Sequence, residues 1–150
     1  MGTIQLANEK FLPMVLEYIS QGHTATIRAK GYSMRPFIEN ERDDIVLAAA
    51  DKYTVGDVVL AEITPGQFVL HRIDAISGEN VRLRGDGNYR GTERSRLTDV
   101  KAKAVQVIRK GTVWNIEKSR VWKTYSWIWT RLLPVRRYLL WGLRKVKFNR

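Results

Sequence analysis

The chain contains no cysteine. That excludes a disulfide framework, a thiolate zinc site and a thiol nucleophile. Histidine is nearly as scarce. His23 and His71 are the only two in 150 residues, too few and too far apart to suggest a metal centre. No HExxH helix, Walker loop or dinucleotide fingerprint occurs, and no cofactor is expected. No uncharged apolar run reaches the roughly 18 residues that a spanning helix needs. The first twenty residues carry Glu9, Lys10, Pro13 and Glu17, so they are not expected to act as a secretory signal.

Acid is missing from one end only. Residues 1–117 hold 16 Lys+Arg and all 15 Asp+Glu, a net of +1, whereas residues 118–150 hold 10 Lys+Arg and no acid. The formal charge of +11 is therefore a property of the tail. The hydrophobic fraction of 44% and the length suit one folded unit with a sizeable core. We read residues 1–117 as a domain with its core in 24–110, and residues 118–150 as a separate tail.

Asn8 can cap a helix beginning near Glu9, with Phe11, Leu12, Val15, Leu16 and Ile19 at helical spacing and Gly22 as its stop. Beyond it the pattern is β. Alternation predicts strands over 24–30, 44–50, 57–63, 67–76, 81–84 and 101–109, separated by turns such as Pro65-Gly66 and 77–80. Many short strands between such turns argue for a mainly β, barrel-like or folded sheet. In the tail, Trp122, Tyr125, Trp129, Leu132 and Leu133 define one apolar helical face. Pro134 interrupts that face, and a second helix is expected over 135–146.

Three short segments carry chemistry. Gly31-Tyr32-Ser33-Met34-Arg35-Pro36 is a bent, glycine-led segment with a serine at its centre. His71 and Arg72 lie in an apolar strand, and Gly85-Asp86-Gly87-Asn88 forms a turn. A serine hydroxyl is a weak nucleophile until a base accepts its proton. Imidazole is suited to that task near neutral pH, and an acid on its far nitrogen fixes the tautomer. Asp86 is the first candidate for that acid, and it could equally be a turn residue. His23, in a Gly-His-Thr turn, is expected to be a loop residue. Arg72 is expected on the opposite strand face from His71, in a structural ion pair or at the surface.

Taken in order, 31–36, the turn and strand 56–60, 69–73 and 85–88 resemble the type I signal peptidases and the related LexA-type self-cleaving domains. The resemblance covers roughly residues 24–110. Most bacterial members have a lysine where this chain has His71, so the chain is closest to the His-type branch of endoplasmic-reticulum and sporulation enzymes. A lysine base must be pulled down from about 10.4, whereas histidine needs no such shift.

The resemblance implies a signal-peptidase-like folded β-sheet domain with a short N-terminal helix and C-terminal amphipathic helices. It implies Ser33 as nucleophile, His71 as general base and Asp86 as supporting acid, with Glu93 as the alternative acid. Met34 would line the substrate cleft, and Gly31 and Ser33 would supply the oxyanion corner. The substrate would be a leader or small peptide with small residues before the scissile bond. The rival reading is a non-catalytic peptide-binding module on the same scaffold.

The tail supports three readings. Trp122, Trp127, Trp129 and Trp141, with Arg136 and Arg137, suit an anionic membrane interface. That would hold a cytoplasmic protein at the inner membrane face. The same aromatic face could instead dock on the domain itself or on a partner protein. Nucleic acid is not expected, because residues 1–117 offer no basic groove.

Overall fold

The computed structural model describes residues 3–5, 12–29, 34–35, 37–39, 41–87, 91–132, 135 and 138–142. The fold is mainly β. Strand β1 is Thr3–Gln5, helix α1 is Leu12–Ser20, and strands β2 and β3 are Ala25–Arg28 and Asp43–Ala48. The longer β4 (Val58–Thr64) and β5 (Gln67–Ser77) form a hairpin, followed by β6 (Asn80–Arg84) and β7 (Glu93–Arg96). A turn of 3-10 helix at Leu97–Asp99 leads to β8 (Val100–Arg109), β9 (Thr112–Asn115) and helix α2 (Arg120–Arg131).

The strands join in one sheet of order β1-β2-β3-β8-β4-β5-β6-β7, with β9 also on β8. Strand β8 organises it. One edge pairs with β3, and the other pairs first with β4 and then with β9. Strands β4 to β7 curl back on themselves. Ser95 Oγ on β7 donates to the Glu62 carbonyl on β4 at 2.7 Å, although two strands lie between them in the sheet. This is the barrel-like folding that the short alternating strands predict.

Because side chains alternate along a strand, β4 feeds two cores. Val58 and Leu60 enter a core with α1, β2, β3 and β8, while Val59 and Ala61 enter a second core with Ile73, Val81, Leu83 and Val100. Helix α1 contributes Leu12, Val15 and Ile19 to the first core, the expected helical spacing. Pro13 is accommodated in its first turn, where the missing N–H costs nothing. At the β4–β5 hairpin, Gly66 has a φ of 81°, a left-handed conformation that the Pro65-Gly66 pair supplies cheaply.

The predicted strands match β2, β3, β4, β5, β6 and β8 to within one or two residues. Three short strands, β1, β7 and β9, were not anticipated. The helix expected from residue 9 is described from Leu12, its earlier residues lying outside the described set. Residues 138–142 are helical, within the second tail helix that was expected over 135–146.

Helix α2 packs against the β domain. Its cap is Ser119, whose side chain accepts the Trp122 N–H at 3.4 Å. Trp122 meets Phe37 edge-on at 4.3 Å, and Tyr125 stacks on both Phe37 and Trp129. Trp122 and Trp129 are buried, so their expected place at a membrane interface is corrected. They occupy the face that holds the helix to its own domain.

Candidate active site

His71 and Arg72 are neighbours on β5 and turn to opposite faces, as alternation requires. His71 shares the side of Val69 and Ile73, toward the curled β4–β7 unit. Its side chain is 6% exposed, and Nδ1 lies 2.9 Å from Glu93 Oε2. Glu93 opens β7 and pairs in register with Leu83 on β6. That register brings its carboxylate two strands across to β5. A carboxylate only accepts, so Nδ1 carries the proton and donates it to Glu93. In the neutral ring this tautomer keeps the lone pair on Nε2, the form a general base needs.

Arg72 takes the other face. Its Nε donates to Asp86 Oδ1 at 2.8 Å and its Nη2 to Oδ2 at 2.7 Å. Its Nη1 donates to the Gly56 carbonyl and to Ser126 Oγ of α2. Burial opposes the charge on Arg72, but the Asp86 carboxylate outweighs it and holds the guanidinium pKa above its ordinary value. The assignment of Asp86 as the acid on His71 is therefore corrected. Both of its oxygens are engaged by Arg72, and Glu93 stands on the imidazole.

The Asp86 turn is fastened on three sides. Its side chain binds Arg72, its carbonyl accepts Trp129 Nε1–H at 3.0 Å, and its N–H points at Met34 Sδ at 3.5 Å. Met34 is buried in the first core, with its sulfur against the Asp86 N–H. Ser33 and Gly31 lie outside the described residues, as do Arg136 and Arg137.

Gly56 adopts a φ of 100°, which a side chain would strain, and its turn is closed by Asp57 accepting the Thr54 N–H at 2.9 Å. His23 is exposed and stacks on Tyr18 at 4.2 Å. Among the described residues no three His, Asp or Glu side chains gather to hold a metal ion.

A cleft of about 600 Å³ opens between α2 and the Gly56 turn, lined by Asp57, Asp74, Lys103, Lys123, Trp127 and Arg131 among others. Lys103 there pairs with Glu117, which raises its pKa.

Ser126 and Trp129 went unrecognised as supports of the Asp86 turn. The signal for Arg72 was present: an arginine in register with inward-facing Leu70 needs a buried acid, and the nearest turn supplies one. No protein-family model matches the chain, and no curated protein matches it.

Proposed function

We propose that the chain is a serine endopeptidase, similar in its motifs to the His-type signal peptidases, that removes a leader or processes a small peptide. The observation that carries this reading is the buried imidazole of His71 held through Nδ1 by Glu93. From such a pair a base gains its tautomer, its orientation and a counter-charge for the imidazolium.

In the proposed reaction Ser33 Oγ attacks the scissile carbonyl while His71 Nε2 takes its proton. The carbonyl electrons move to oxygen, where backbone N–H groups of the serine segment stabilise the charge. Collapse breaks the C–N bond, and the imidazolium protonates the leaving amine. Water then attacks the acyl carbon as Nε2 takes its proton, collapse breaks the C–Oγ bond, and the imidazolium returns the proton to Ser33 Oγ. Asp86 has a different part: with Arg72 and Met34 it fixes the turn at 85–87. The substrate is a peptide or protein segment with small residues before the cut, as the resemblance implies.

The test is a comparison of new protein N-termini in cells producing the wild type or Ser33→Ala. Termini that occur only with the wild type, preceded by small residues, are expected. Identical sets from equally abundant, folded proteins would replace this reading with the peptide-binding one.

A further inference from the structure

Helix α2 has two faces with different surroundings. Trp122, Tyr125, Ser126 and Trp129 meet Phe37, Arg72 and the Asp86 turn. The rest of the helix surface carries a second apolar set, Val121, Trp127 and Ile128, which are 68%, 59% and 45% exposed, with Trp127 at the rim of the cleft beside the Gly56 turn. Arg120, Lys123 and Arg131 lie among them. Exposed aromatic and aliphatic side chains clustered in this way mark a contact surface. Trp114 on β9 extends the patch beside Val121, and Tyr138, Leu139 and Trp141 add to the exposed apolar residues of the tail.

Charge decides what this surface meets. Residues 118–150 bear 10 Lys+Arg and no acid, while residues 1–117 are nearly neutral. The partner must therefore be anionic and must also accept indole and aliphatic side chains. A lipid interface has both properties at one depth. Arg131 already stacks over the Trp127 ring at 3.9 Å, which sets a cation and an indole at the same level. A nucleic acid would draw on a basic groove in the β domain, and its near-neutral charge argues against one. Among the described residues no helix is long and apolar enough to cross a membrane, so a helix here would lie in the interface plane.

We propose that the outward face of α2 docks on an anionic bilayer surface. Val121, Trp127 and Ile128 enter the boundary between headgroups and acyl chains, and Arg120, Lys123 and Arg131 meet lipid phosphates. The inward face carries the β domain with it. The docking does not depend on the reaction, so Ser33→Ala protein is expected to bind lipid as the wild type does.

Flotation of the full chain with vesicles tests this. The wild type is expected to float with equal mixtures of phosphatidylglycerol and phosphatidylcholine, and to stay behind with phosphatidylcholine alone. Neutralising Arg120, Lys123 and Arg131 to Gln is expected to weaken binding about fivefold per residue, or roughly a hundredfold together. Trp127→Ala should weaken it further. All four side chains are exposed, so the thermal melt serves as a control for folding. No flotation, equal flotation with both vesicles, or binding untouched by the four substitutions would overturn the proposal. So would self-association or oligonucleotide binding that the same substitutions abolish in a protein that does not float.

Discussion

Arg72 grips Asp86 with two parallel hydrogen bonds, Nε to Oδ1 at 2.8 Å and Nη2 to Oδ2 at 2.7 Å. Both side chains are almost sealed from solvent. The same guanidinium reaches Gly56 and Ser126 and lies 4.7 Å over the Phe37 ring. One cation thus ties β5 to the Gly56 turn, the Asp86 turn and α2. Removing one partner of a buried pair leaves the other charge uncompensated. Asp86→Ala is therefore expected to lower stability by about 3–5 kcal/mol, read as a lower urea midpoint. A midpoint near that of the wild type would contradict this structural role.

Glu93→Gln separates catalysis from stability. Glu93 is 27% exposed on its side chain, so its loss should change the unfolding free energy by no more than about 1 kcal/mol. An amide can present its own N–H to Nδ1 and favour the other tautomer, which puts the proton on the wrong nitrogen. Turnover is expected to fall by about 10²–10⁴ with the fold intact. Equal turnover in the two proteins would remove Glu93 from the mechanism.

Asp43 gives the fold its acid limit. It is fully buried, which by itself opposes ionisation, but hydrogen bonds from Arg42 and Arg109 prevail and hold its pKa below the ordinary value of 3.8. A carboxylate depressed in the folded state adds stability that is present above its unfolded pKa and lost as pH falls through the folded one. The wild type should therefore lose stability as the pH drops below about 4. Asp43→Asn should cost about 2 kcal/mol or more at pH 7. The gap between the two proteins should narrow in acid, as thermal melts across pH would record. A constant gap would exclude Asp43 as the titrating group.

The tail tryptophans make opposite predictions. Trp129 is buried and donates to the Asp86 carbonyl. Trp129→Ala should cost about 3–5 kcal/mol, and Trp129→Phe, which keeps much of the packing, about 1 kcal/mol for the lost hydrogen bond. Trp127→Ala should stay within about 0.5 kcal/mol of the wild type. Urea unfolding of the three variants checks the order. A reversed order would mean that α2 presents its other face to the domain.

The β pattern was legible because alternation is a local property. The 24–30 and 101–109 segments declare their buried faces residue by residue and became β2 and β8. Strand β7 escaped notice because Glu93-Arg94-Ser95-Arg96 has no apolar residue; it is a strand through its pairing with β6 and the Ser95–Glu62 contact. The same gap explains the site. Glu93, the alternative acid of the resemblance, reaches His71 through a register spanning β5, β6 and β7, which spacing alone cannot rank above Asp86. Asp86 lies nearer His71 in sequence and sits in the more conspicuous turn, yet Arg72 claims it. In the tail, period and charge revealed a helix, but its indoles sit on both faces. Only the docked structure separates Trp122 and Trp129 from Trp127.

In the proposed reaction Ser33 and His71 act as one unit. Its most direct test is kcat/KM for the wild type, Ser33→Ala, His71→Ala and the double variant, on a peptide spanning a cleavage site mapped by the N-terminal comparison. Each single variant is expected to lose about as much as the double, on the order of 10⁴–10⁶. Losses that multiply in the double variant, or a Ser33→Ala protein that keeps its turnover, would contradict it.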